Sequence, residues 1–74
     1  MHRPKKRSIT LDGHRTSVSI EEEFWHQFVL IARNQGKSIN VLATEIDHIR
    51  GLDVGLASAI RLFVLSHALG RTFP

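Results

Sequence analysis

Between Arg15 and Ile20 the polar residues Arg15, Ser17 and Ser19 alternate with Thr16, Val18 and Ile20, and the acidic run Glu21-Glu22-Glu23 that follows opens a helical pattern at once. A period of two puts Thr16, Val18 and Ile20 on one face of a strand and Arg15, Ser17 and Ser19 on the other. A short strand on its own leaves unpaired N–H and C=O groups along its edges. This segment therefore demands a partner strand, and in a chain of 74 residues the expected partner is the same strand of a second copy.

Such pairing gives a two-stranded ribbon with a polar, basic outer face, an element that the DNA major groove admits. Size points to self-association as well. A single core is marginal at this length without disulfides, a metal or oligomerisation. The chain has no cysteine, and its histidines (His2, His14, His26, His48, His67) show no pair at a zinc-ligand spacing. No metal and no cofactor are expected.

The net charge of +3 is unevenly placed. Residues 1–15 carry Arg3, Lys5, Lys6, Arg7 and Arg15 against Asp12, a net of +4, while the remainder of the chain is close to balance at −1. Positive charge gathered at one end suggests a polyanionic partner. The basic start is followed by polar residues, so no signal peptide is expected. Apolar runs such as 28–32 and 62–65 are far too short to span a bilayer. The expected setting is cytoplasmic, at the nucleoid, with no membrane partner.

Upstream of the strand, Ser8-Ile9-Thr10-Leu11 also alternates, and Asp12-Gly13 is a two-residue hairpin signal. That turn would place Leu11 opposite His14, Thr10 opposite Arg15, Ile9 opposite Thr16, Ser8 opposite Ser17 and Arg7 opposite Val18. Ile9, Leu11, Thr16, Val18 and Ile20 would then share one face, and Ser8, Thr10, Arg15, Ser17 and Ser19 the other. A dimer that joined two such hairpins would be four strands wide, roughly 14 Å at about 4.8 Å spacing, against a groove of about 12 Å. Either the outer strands curl away or residues 1–13 are a flexible arm; the turn chemistry favours the hairpin.

A first helix is expected from about Ile20–Glu22, with Ser19 and Glu22 at capping-box spacing, and Phe24, Phe28, Ile31 and Ala32 form its apolar stripe, widened by Trp25 and Val29. Gly36 should end it. Ser38 is a suitable N-cap for a second helix with Ile39, Leu42, Ala43, Ile46 and Ile49 in three-four rhythm, stopping near Arg50-Gly51. After a connector at 51–55, a third helix should run from about Leu56 to Leu69 with Leu56, Ala59, Ile60, Phe63, Val64 and Ala68 on one side.

This order, with Gly36-Lys37-Ser38 between the first two helices, resembles the ribbon-helix-helix superfamily of Arc, MetJ and CopG-type DNA-binding proteins. The string from Arg15 to Trp25 is similar to a group of small bacterial proteins with that domain. The resemblance covers about residues 7–50 and implies a mostly α fold with a short β ribbon, dimeric, to which an N-terminal hairpin strand and a C-terminal helix are additions. The expected division is a basic arm at 1–7, a ribbon-helix-helix domain at 8–50 and a C-terminal helical extension at 51–74 packed on the same domain.

The resemblance implies that Arg15, Ser17 and Ser19 read base edges. Arg can donate two hydrogen bonds to guanine, and a serine hydroxyl can donate or accept. It also implies a phosphate held at the start of the second helix by Lys37, Ser38, Ile39 and Asn40, where free N–H groups and the helix dipole favour an anion. Lys5, Lys6 and Arg7 are expected as further phosphate contacts. Val18, Ile20, Phe24, Phe28, Leu42 and Ile46 are expected to form the dimer core, with Phe24 or Trp25 reaching the partner chain.

The implied function is sequence-selective binding of double-stranded DNA through an intermolecular ribbon, by a homodimeric bacterial transcriptional regulator, most simply a repressor, with higher assembly on DNA left open. The alternative is an antitoxin-like or adaptor protein whose third helix binds a protein partner. An enzyme is not expected, because no nucleophile has a base at plausible spacing and no glycine-rich phosphate loop is present.

Overall fold

The computed structural model of the protein describes residues 3–72, so the first two residues of the expected arm and the last two of the chain lie outside it. Its elements are β1 (Lys5–Leu11), β2 (His14–Ile20), α1 (Glu22–Asn34), α2 (Ile39–Ile49) and α3 (Leu56–Ala68). The two strands form an antiparallel sheet in the register that the turn dictates, Leu11 opposite His14 through Ser8 opposite Ser17 and on to Lys5 opposite Ile20. Asp12 and Gly13 both take positive φ, 50° and 82°, as a type I′ turn requires. β2 thus has β1 of its own chain on one edge, as the turn chemistry favours. The reason is local: two residues suited to a tight turn bring complementary alternating strands together with almost no loop-closure cost. Strand pairing also reaches back to Lys5, three residues before the alternation at Ser8.

The break between α1 and α2 has a physical cause on each side. Gly36 at φ 68° closes α1, where the Lys37 N–H donates to the Ala32 carbonyl at 2.9 Å and the Gly36 N–H to Arg33 at 3.0 Å, a Schellman arrangement. Ser38 caps α2, its Oγ accepting from the Val41 N–H at 3.1 Å. The expected capping box at Ser19 does not form. Ser19 stays in β2 and the α1 N-cap is Glu21, with no side-chain cap bond, because its carboxylate is held elsewhere by Arg61. At the other end of α2, Arg50 Nε donates to Asp47 Oδ1 at 2.7 Å and its Nη1 to the Val54 carbonyl, which folds the connector back against the helix.

The core lies between the inner face of the hairpin and the three helices. Ile9, Val18 and Ile20 meet Phe28, Ile31 and Ala32 of α1, Leu42, Ala43 and Ile46 of α2, and Ala59, Ile60 and Val64 of α3. α2 lies against β1, α3 against β2, and all three helices touch one another. Each large side chain buried here contributes about 1.5–3 kcal/mol. Phe28 is the hub, with its ring 5.7 Å from Trp25 and 6.4 Å from Phe63.

Most of the residues expected in the dimer core already form the core of one chain. Val18, Ile20, Phe28, Leu42 and Ile46 are each at most 5% exposed within a single chain, and Phe24 and Trp25 are half-buried on the same cluster. α3 adds Ala59, Ile60 and Val64 to the same cluster. Thr16 corrects the expectation of a buried inner face, since it is exposed although it shares the face of Val18. α3 meets β2 at the Ser19 end, so burial begins only at Val18.

Candidate nucleic-acid interface

The face of the hairpin turned away from the helices is built by alternation from both strands. Its cross-strand pairs are Lys6 with Ser19, Ser8 with Ser17 and Thr10 with Arg15. All are exposed except Thr10, which is half-buried. Arg15, Ser17 and Ser19, expected from sequence to read bases, therefore stand in one row on the open side of the sheet. Arg15 does not extend freely: its Nη2 donates to Ser8 Oγ on the facing strand at 3.2 Å. That contact uses one of the five guanidinium N–H groups and leaves the rest for a ligand.

The expected phosphate residues are not equivalent. Lys6 stands at the end of the outward face, while Lys5 and Arg7 fall on the inward side by register. Lys5 Nζ lies 3.9 Å from Glu22 Oε2. Arg7 is engaged from two directions, by the Glu22 carboxylate and by the Trp25 ring, whose centroid lies 5.2 Å from its Cζ. Arg7 is thus part of the scaffold beneath the ribbon, and Lys6 is the cation on its surface. Charge counting cannot separate the two, because the distinction is one of strand parity.

At the start of α2, Asn40 Oδ1 accepts the Thr10 N–H at 2.9 Å. This bond fixes the helix N-terminus beside β1 and satisfies an edge N–H of the sheet. Ser38 is occupied as the N-cap, and Lys37 Nζ pairs with Glu45 Oε1 at 2.7 Å. Both partners of that pair are solvent-exposed enough for exchange with another anion to cost little. A little further along, His48 Nε2 lies 2.6 Å from Asp12 Oδ2 at the hairpin turn. The Asp12 hydrogen bond, then its charge, raises the His48 pKa above its ordinary 6.5.

Two further residues had no signal in local spacing. Arg61 on α3 grips Glu21 through Nε to Oε1 at 2.7 Å and Nη2 to Oε2 at 3.0 Å, and Nη2 also reaches the Ser19 carbonyl at 3.3 Å. The hydrogen bond from Arg61 holds the Glu21 carboxyl below its ordinary 4.5. These contacts join residues some forty positions apart, which periodicity cannot show.

Among the described residues no helix is long and apolar enough to cross a membrane. No curated protein and no solved structure matches the chain significantly. A comparison with protein families, however, matches residues 4–68 to the ribbon-helix-helix domain. The matched span runs past Arg50, where the sequence resemblance was expected to stop, and takes in both strands and all three helices; the chain belongs to the ribbon-helix-helix domain family.

Proposed function

We propose that this protein binds double-stranded DNA sequence-selectively and acts as a bacterial transcriptional repressor, laying the outward face of its ribbon in the major groove. The observation that carries this reading is the row of Arg15, Ser17 and Ser19 on an open, polar sheet face. Regulators in this family are generally DNA-binding proteins or antitoxins, and they typically bind DNA as dimers. In this reading Arg15 is the main base reader, because only it can make a bidentate contact with guanine. Ser17 and Ser19 add single hydrogen bonds. Lys6, with Lys37, Ser38 and Asn40 at the α2 N-terminus, contacts phosphates.

The test is fluorescence anisotropy on the DNA upstream of its own gene and on a scrambled duplex of equal length, between about 50 and 200 mM salt. Preference for the upstream duplex that survives high salt, and that Arg15→Ala removes at a cost of about 1–3 kcal/mol, supports the proposal. Equal losses on both duplexes for Arg15→Ala would count against base reading.

A second reading rests on α3. Leu62, Leu65 and Leu69 are 49%, 50% and 55% exposed and recur at helical spacing along one side of it. This stripe suits an adaptor or antitoxin-like role with a protein partner. Co-purification of a specific partner that Leu65→Asp abolishes, with DNA preference intact, would favour it.

A further inference from the structure

We infer that the outward side of α3, the row Ser58, Leu62, Leu65 and Leu69, is a seam that closes on the same row of a second copy, antiparallel to it. The second reading above leaves the occupant of this stripe open. A second copy of the chain fills it, whether or not the ribbon reads DNA.

The composition of α3 is the first ground. A helix at the surface of a small domain ordinarily turns charged residues outward, and α1 and α2 do so with Glu23, Arg33 and Glu45. In α3 the one Lys, Arg, Asp or Glu is Arg61, and its guanidinium is turned sideways onto Glu21 and the Ser19 carbonyl. Ala59, Ile60 and Val64 fill the core on one side of the helix, while Leu62, Leu65 and Leu69 stand half-exposed on the other. A helix that is apolar on both sides is one that is covered on both sides.

Spacing says what covers it. The four positions follow one another at steps of four, three and four, the rhythm of a narrow helix-pairing seam. The fitting partner is another helix with the same row. Run antiparallel about a two-fold axis at Leu65, a second α3 sets Leu65 against the partner's Leu65 and Leu62 against the partner's Leu69, as a self-complementary patch requires. Charge agrees with this. Arg61 on the flank of the row is already paired with Glu21, so two copies meet there without like-charge repulsion.

The row also lies beside the strand edge at which a second copy would join the ribbon. β1 covers one edge of β2. The Thr10 N–H turns away from β2 to Asn40, so the Ser19 carbonyl, at the same parity of the antiparallel ladder, turns to the other edge. There it accepts from Arg61 Nη2. α3 thus flanks that edge, and Leu65 stands one turn beyond Arg61 on the same side of the helix. A copy that pairs along β2 arrives next to the row, and the seam adds apolar burial to the strand pairing.

The chain has no cysteine, so full-length protein with Leu65→Cys carries a single thiol. Mild oxidation should convert it to a covalent dimer, and should leave His26→Cys, at an exposed position of α1, unlinked, because a disulfide needs Cα atoms within about 7 Å. In sedimentation Leu65→Asp should raise the dimer dissociation constant about tenfold or more, an unpaired charge in an apolar seam being costly, with far-UV circular dichroism unchanged. If Leu65→Asp does not fold, the cysteine variants decide. Leu65→Cys linking no faster than His26→Cys, or a dissociation constant unmoved in folded Leu65→Asp, overturns the inference. Either result leaves DNA reading by the ribbon standing and returns the stripe to a different protein partner.

Discussion

Arg61 in α3 and Glu21 at the N-cap of α1 are joined by a forked ion pair, Nε to Oε1 at 2.7 Å and Nη2 to Oε2 at 3.0 Å. It fastens the third helix to the junction of strand and helix where the ribbon meets the core. Because the Glu21 pKa is lowered by this bond, its contribution is present above the unfolded-state value near 4.5 and is lost as pH falls through the folded one. Arg61→Met is expected to lower the melting temperature at pH 7, and the gap between the two proteins should close in acid. Calorimetric melts from pH 7 down to about pH 3, a range that brackets ordinary carboxylate titration, check this; a gap independent of pH would mean that the pair is not the cause.

The His48–Asp12 contact has the opposite sign. The His48 pKa is raised by its hydrogen bond to Asp12 and by that carboxylate's charge, so its stabilisation is full below about 6.5, the unfolded-state value, and is lost as pH rises through the folded one. The contact ties the hairpin turn to α2, so amide exchange around Asp12 and Gly13 should speed up towards pH 8 beyond the intrinsic rate increase. In His48→Gln that excess should vanish.

Gly13 carries a φ of 82°, and a Cβ built there would meet nothing within 4 Å. Its substitution therefore tests conformation without crowding. Gly13→Ala is expected to cost about 1–2 kcal/mol, the penalty of a left-handed residue with a Cβ, read from the urea midpoint. A neutral result would mean that the turn relaxes to another type without loosening the hairpin.

Arg7 and Lys6 are neighbours in sequence with opposite roles. Arg7→Ala removes the contacts with Trp25 and Glu22 and should destabilise the fold by about 1 kcal/mol. Lys6→Gln should leave stability unchanged and reduce the slope of log affinity against log salt by close to one phosphate contact. If Arg7→Ala also lost a unit of salt slope without lowering the melting temperature, the scaffold role assigned to it would be wrong.

The amino-acid sequence alone determined the local elements: the Asp12-Gly13 turn and its register, the cap at Ser38, the stop at Gly36 and the three helical stripes. These depend on backbone preferences and on side-chain period, which neighbouring residues decide between them. It also placed Arg15, Ser17 and Ser19 on one strand face, because parity survives folding. Only the tertiary structure decided that Phe28, Ile20 and Leu42 pack in one cluster with α3 of their own chain. It likewise decided that Arg7 turns inward while Lys6 faces out, and that Arg61 occupies the end of the ribbon's free edge. The physical reason is that burial and ion pairing depend on which surfaces meet in space. An apolar stripe signals that it must be covered and carries no record of whether its own chain or a second copy covers it.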